Sequence, residues 1–121
     1  MKTMLIVDDE PAIARMIQRV AEGCGYSATV TTRSDEFMDQ VVAIEPSVIV
    51  MDLSIPAADG VELIRFLAAT RCRAKILVIS GVDPRVLETT GALGSALGLL
   101  IAGTISKPVR LAELRAAIEG L

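Results

Sequence analysis

Four apolar runs constrain the fold of this chain more than any other feature, because each is followed by polar residues that are able to do chemistry. The runs are residues 4–7, 48–51, 76–79 and 99–105, and the residues that follow them are Asp8 and Asp9, Asp52, Ser80 and Lys107. Strands that are buried on both faces of a parallel sheet are typically continuous aliphatic runs. Ligands of open α/β sheets bind at the carboxyl ends of the strands, so we expect these side chains to share one rim.

Helical patterns separate the apolar runs. We predict helices that begin near Pro11, Ser34, Asp59, Pro84 and Leu111, and a weaker strand at residues 26–30. Parallel neighbours need a helix to return the chain, so this alternation predicts a doubly wound α/β fold with a parallel five-stranded sheet and right-handed crossovers. The common strand order 2-1-3-4-5 would bring Asp8 and Asp9 next to Asp52.

Composition limits the classes of function. With 121 residues, of which 52% are hydrophobic, the chain is predicted to form one domain, residues 1–121, with a sizeable core. The net charge of −3 argues against direct binding of nucleic acid, because phosphate binding needs a basic surface. Two cysteines are too few for a disulfide framework or a zinc site, and nothing indicates export, so we expect a cytoplasmic location.

Residues 89–106 contain no charged side chain, and a segment of that length is a candidate for a membrane-spanning helix. Four glycines and several hydroxyl groups make this segment only modestly apolar, however. We therefore expect no membrane span, but a glycine-weakened helix followed by a buried strand.

The strand-end motifs together resemble the receiver domain of two-component response regulators. They are Val7-Asp8-Asp9-Glu10, Met51-Asp52-Leu53-Ser54-Ile55-Pro56 with Asp59-Gly60, Ser80-Gly81 and Ser106-Lys107-Pro108. The resemblance covers essentially the whole chain and implies a flavodoxin-like (βα)5 three-layer sandwich. It also implies a partner, a sensor histidine kinase or a phosphotransfer protein, that donates a phosphoryl group.

By this resemblance Asp52 is the phosphoacceptor and forms an aspartyl phosphate. Lys107 would neutralise one phosphoryl oxygen, and Ser80 would donate a hydrogen bond to another. A carboxylate is a competent nucleophile for phosphoryl transfer when the negative charge around it is managed. The implied activity is self-catalysed phosphotransfer and autodephosphorylation only, so we do not expect an enzyme with an external substrate.

The resemblance implies Mg²⁺ as the cofactor. The metal would be held by Asp9, by Asp52 and by the backbone carbonyl of Ser54, with Asp8 acting mainly through water. Clustered carboxylates raise one another's pKa, and a divalent ion that prefers oxygen ligands relieves this cost. Taken alone, Asp8 and Asp9 could also be a helix-capping pair beside Pro11.

Two features depart from the family pattern. Thr104 stands three positions before the lysine, where the family usually has the tyrosine or phenylalanine of its rotamer switch. Ser80 and Lys107 are 27 positions apart, and the longer fourth-helix segment resembles receivers attached to EAL-type phosphodiesterase domains. We expect the output to pass through the face of the fourth helix, fifth strand and fifth helix. There a homodimer or an attached effector domain would dock, unless the fourth helix is fully buried.

A second function remains open from the residues. The chain could be a pseudo-receiver that acts as a constitutive interaction or dimerisation module, which the missing aromatic residue favours and the intact acids, serine and lysine disfavour. A phosphatase with an aspartate nucleophile ranks third. That chemistry usually needs an acid two positions after the nucleophile, where this chain has Ser54.

Overall fold

Strands and helices alternate along the whole chain. The computed structural model describes residues 2–53, 60–81 and 83–121. The strands are β1 (Lys2–Val7), β2 (Tyr26–Thr31), β3 (Val48–Asp52), β4 (Lys75–Ser80) and β5 (Leu100–Ser106). The helices are α1 (Pro11–Gly23), α2 (Ser34–Ile44), α3 (Gly60–Ala69), α4 (Pro84–Ala96) and α5 (Leu111–Glu119). The paired strands are parallel and their order is β2-β1-β3-β4-β5, so the predicted doubly wound α/β fold and its strand order are confirmed.

Helices cover both faces of the sheet and give three layers. Successive side chains of a strand point to opposite faces, so Met4 and Ile6 of β1 join one core and Leu5 and Val7 join the other. The first core is closed by buried residues of α1 and α5, and the second by buried residues of α2, α3 and α4. Burial on both faces explains why the central strands read as unbroken aliphatic runs.

The fifth strand departs from the prediction. We expected a buried strand, but Ile105 is the one residue of β5 that is buried, and Leu100 is 53% exposed. β5 lies at the edge of the sheet, and its pairing with β4 slips by one residue after Ile76, where Ala102 is left out of the register. An apolar run occurs in edge strands as well as in central strands, so the prediction that β5 is buried was wrong.

The fourth helix is not fully buried, so the alternative of a fourth helix enclosed in the core is wrong. Val86 is 52% exposed, and Leu97, directly after the helix, is 43% exposed. The uncharged segment 89–106 is divided between α4 and β5. Over the described parts of the chain, none of the helices has the length and apolar character needed to cross a bilayer.

A glycine of α4 lets this helix lie directly on β5. A Cβ atom built on Gly94 would be 2.8 Å from Cδ1 of Ile101, closer than Cβ atoms normally approach another atom. One turn earlier, a Cβ on Gly91 would meet Cγ2 of Thr104 at 3.5 Å, which is an ordinary van der Waals contact.

This difference predicts opposite effects of the same substitution. Gly91→Ala should raise the free energy of unfolding by about 0.5–1 kcal/mol, because alanine is the better helix former. Gly94→Ala should lower it by about 1 kcal/mol, because overpacking against Ile101 exceeds that gain. Urea denaturation of both variants measures the two changes. Equal changes would contradict the close approach of α4 to β5.

Candidate functional site

The strand order brings the polar strand ends to one rim. Val7 at the end of β1 pairs with Met51 of β3, so Asp8 and Asp52 follow neighbouring positions of adjacent strands. On the other side, Asp52 pairs with Ile79, and Ser80 pairs with Ser106. The residues that the sequence separates by up to about a hundred positions therefore meet at the carboxyl edge of the sheet.

Lys107 reaches from the end of β5 to the buried carboxylates. Its Nζ lies 3.1 Å from Oδ2 of Asp52 and 3.9 Å from Oδ2 of Asp8. Both aspartate side chains are only 1% exposed, whereas the lysine side chain is 18% exposed. The ammonium group thus closes the solvent side of a buried pair of acids.

Asp8 is a buried carboxyl group with a raised pKa. Its Oδ1 accepts a hydrogen bond of 2.9 Å from the backbone N–H of Glu10, while its buried Oδ2 has no hydrogen-bond donor within the described residues. Burial raises the pKa of Asp8 to about 6, the carboxylates of Asp52 and Asp9 add to the rise, and the Glu10 N–H and Lys107 oppose it. Near neutral pH this carboxyl group has an appreciable protonated fraction.

The acids around Lys107 keep it charged. Burial on its own would lower the pKa of this amine, but the hydrogen bond to Asp52 and the charges of Asp52 and Asp8 outweigh it, so the pKa lies above its ordinary value. A permanent cation beside Asp52 is what a developing phosphoryl charge needs.

The acidic run after β1 can supply metal ligands. Carboxylate oxygens of Asp8, Asp9 and Glu10 lie within 4.8 Å of one another. The oxygens of Asp8 and Asp9 fit the ligand preference of Mg²⁺, and Oδ2 of Asp8 has no hydrogen-bond donor within the described residues, whereas Glu10 contacts Lys107 at 3.4 Å. Glu10 is not among the site residues predicted from the sequence, although it is the third acid of a visible Asp-Asp-Glu run.

Of the remaining predicted residues, the structure describes Ser80 but not Ser54 or Asp59. Ser80 is fully buried at the end of β4, and its backbone carbonyl accepts a 2.9 Å hydrogen bond from the N–H of Lys107. The peptide bond between Lys107 and Pro108 is cis. Ser54, whose carbonyl is a predicted metal ligand, and Asp59, the predicted start of the third helix, lie outside the described residues.

Comparison with known families identifies the type of domain. Residues 4–119 match the model of the response regulator receiver domain. This chain belongs to that family. The receiver domain is similar to the transcriptional regulatory protein YkoG of Bacillus subtilis, with 30% identity over 96% of this chain and 49% of that protein. It is 28% identical to the alkaline phosphatase synthesis regulator PhoP of the same organism, over 99% of this chain and 48% of PhoP.

Solved structures agree on the fold. A CheY-like receiver domain protein from Methanospirillum hungatei superposes with a TM-score of 0.86 at 22% identity, covering 99% of this chain and 92% of the other. This receiver domain spans about half the length of the curated relatives named above.

The raised pKa of Asp8 predicts a pH-dependent stability. The Asp8 carboxyl group binds a proton more tightly in the folded form than in the unfolded form. Its contribution to the free energy of unfolding is therefore complete below about pH 4 and is lost as the pH rises through about 6. Without metal, Asp8→Asn should therefore be more stable than the parent by about 2 kcal/mol at pH 8, and equally stable at pH 4.

Urea denaturation at both pH values measures this difference. Asp39→Asn is the matched control, because Asp39 is an exposed carboxylate on α2. It should change stability by a few tenths of a kcal/mol at either pH. A loss of stability in Asp8→Asn at pH 8 would contradict the desolvation of Asp8.

Proposed function

We propose that this receiver domain, residues 1–121, accepts a phosphoryl group on Asp52 from a histidine kinase or a phosphotransfer protein. The observation that carries the proposal is the 3.1 Å contact between Lys107 Nζ and Asp52 Oδ2 in a buried rim of acids. Structural ion pairs are more often exposed, and a buried one is costly unless it serves a purpose. A cation placed against the nucleophile's own oxygen is suited to phosphoryl transfer.

The reaction needs little covalent chemistry from the protein. A carboxylate oxygen of Asp52 attacks phosphorus, the bond from phosphorus to the donor's imidazole nitrogen breaks, and the imidazole leaves. Lys107 neutralises one phosphoryl oxygen, and the Ser80 hydroxyl donates a hydrogen bond to another. Attack of water on phosphorus later releases inorganic phosphate and restores the Asp52 carboxylate. We propose no further enzymatic activity.

We propose that Asp8, Asp9, Asp52 and the carbonyl of Ser54 hold Mg²⁺. When bound, the ion offsets the negative charge of the carboxylates and of the phosphoryl oxygens. The chain's own contribution is to gather carboxylates at one edge of the sheet and, within the described residues, to leave the buried Oδ2 of Asp8 without a hydrogen-bond donor.

The output face would be formed by α4, β5 and α5. Its exposed apolar side chains are Val86, Leu97, Leu100 and Leu111, and we propose that a second copy or an attached effector domain covers them. Thr104 lacks an aromatic ring, so the signal would pass through the packing of α4 on β5, where the threonine side chain lies next to Gly91.

Longer relatives suggest how this output is used. YkoG and PhoP are named as transcriptional regulators and are about twice the length of this chain. We propose that this receiver likewise controls an effector domain and works in the cytoplasm. Any contact with nucleic acid would be made by the effector and not by the receiver. The EAL-type attachment stays a prediction.

One observation favours a second function. Thr104 replaces the ring of the usual switch, as a constitutive interaction module would allow. The contact between Lys107 and Asp52 favours the phosphoacceptor, because a pseudo-receiver has no need to keep two buried carboxylates beside one amine.

Phosphorylation is tested directly with a small donor. Incubation with acetyl phosphate and Mg²⁺, followed by intact mass measurement, should add one phosphoryl group to the parent chain and to Asp39→Asn. Asp52→Asn should remain unmodified, because it lacks the nucleophilic oxygen. An unmodified parent chain, or an adduct that persists in Asp52→Asn, would refute the phosphoacceptor function.

The output face is tested by its oligomeric state. If a second copy covers it, sedimentation should show that the phosphorylated chain dimerises, and Leu100→Glu should weaken the dimer at least tenfold by placing a charge in the interface. Val42→Glu is the matched control, because Val42 is 66% exposed on α2, away from this face. If the chain stays monomeric at high concentration, whether phosphorylated or not, the dimer is excluded and an attached effector domain remains as the partner of this face.

A further inference from the structure

Glu10 gives Lys107 a second, outward partner. Oε1 of Glu10 lies 3.4 Å from the lysine Nζ, nearly as close as Oδ2 of Asp52 at 3.1 Å. The two partners differ in environment, because the Glu10 side chain is 60% exposed and that of Asp52 is 1% exposed. The ammonium group is thus held between a carboxylate at the buried floor and one at the solvent edge.

The backbone of Glu10 is fixed although its side chain is exposed. The residue precedes α1 in an extended conformation, its N–H donates to Oδ1 of Asp8, and its carbonyl accepts a 3.0 Å hydrogen bond from Ala14. These bonds anchor the Cα atom beside the acid rim. The carboxylate can therefore follow the ammonium group without any movement of the helix.

Phosphorylation of Asp52 would require the Lys107 ammonium group to move, and the Glu10 carboxylate to move with it. A phosphoryl group on Asp52 would occupy the space that the lysine ammonium now takes, so Lys107 must withdraw outward while it stays on a phosphoryl oxygen. The outward side is the one on which Glu10 stands. Without an anion there, a flexible lysine would spread over many solvated rotamers.

We propose that Glu10 is a positioning residue, which holds the Lys107 ammonium against the phosphoryl oxygens during transfer to Asp52. This inference rests on the proposed phosphorylation of Asp52 and adds a residue to it. Glu10 touches no reacting atom in this role. It acts by restricting Lys107 to positions from which the amine can meet the phosphoryl oxygens.

Two substitutions separate positioning from simple charge repulsion of the donor. Glu10→Gln removes the charge, whereas Glu10→Asp keeps it but shortens the reach to Lys107 by one methylene. If Glu10 positions the lysine, both variants should be phosphorylated by acetyl phosphate about two- to five-fold more slowly, the range expected for one partly exposed ion pair. If Glu10 only repels the anionic donor, Glu10→Gln becomes faster and Glu10→Asp keeps the parent rate, which overturns the proposal.

Two controls complete the experiment. Glu22→Gln removes an exposed carboxylate near the other end of α1 and should keep the parent rate. In a Lys107→Met background, the substitutions at Glu10 should have no further effect, because they act through the amine. Calorimetric titration with Mg²⁺ alone should give the parent affinity for Glu10→Gln, and a tenfold loss would instead make Glu10 a metal ligand and overturn the proposal.

A measurement on the unphosphorylated chain keeps this inference separate from the proposed function. The sequence has three lysines, Lys2, Lys75 and Lys107, so ¹⁵N-lysine NMR can resolve their side-chain ammonium groups. Proton exchange at Lys107 should be faster in Glu10→Gln than in the parent, and unchanged exchange would overturn the inference. A parent chain that takes up no phosphate refutes the function of Asp52, whatever the NMR result.

Discussion

The contact of one ammonium group with two buried carboxylates is the interaction on which this rim depends. Asp8 and Asp52 are removed from water, and Lys107 is the one cation that ion-pairs with them within the described residues. Two buried carboxylates share one ammonium group, and the pKa of Asp8 is raised mainly by burial, with the charges of Asp52 and Asp9 adding to the rise. Such a site is costly to the fold, and a divalent cation would offset its excess of negative charge.

The parallel sheet makes this arrangement geometrically available. Asp52 is the last residue of β3, and β3 is buried along its whole length between β1 and β4. This strand, covered on both faces, holds the Asp52 carboxylate in place, while Asp8 and Lys107 lie just beyond the ends of other strands. The match of residues 4–119 to the receiver-domain model agrees with this strand order.

The output side is built differently. β5 is an edge strand with an extra residue at Ala102, and α4 approaches it closely at Gly94. The family's aromatic residue is replaced by Thr104. The proposed phosphoacceptor rim and the proposed output face thus lie in parts of the molecule with different packing, the first at the ends of buried strands and the second at an edge of the sheet.

The sequence by itself determined the elements and most of the rim. Uninterrupted aliphatic runs, Pro11 at the first position of α1 and Pro84 at the first position of α4 were enough to predict the alternation of strands and helices, because these signals are local. The resemblance of the motifs then named Asp52, Asp8 and Lys107, and the structure brings these residues together.

Only the tertiary structure decided the rest. It placed β5 at an edge, where an apolar run is largely exposed, and it showed that Oδ2 of Asp8 lacks a hydrogen-bond donor within the described residues. It also revealed the contact between Glu10 and Lys107, which stand 97 positions apart. Burial, charge balance and long-range contacts depend on which strands become neighbours, and no local pattern in the chain contains that information.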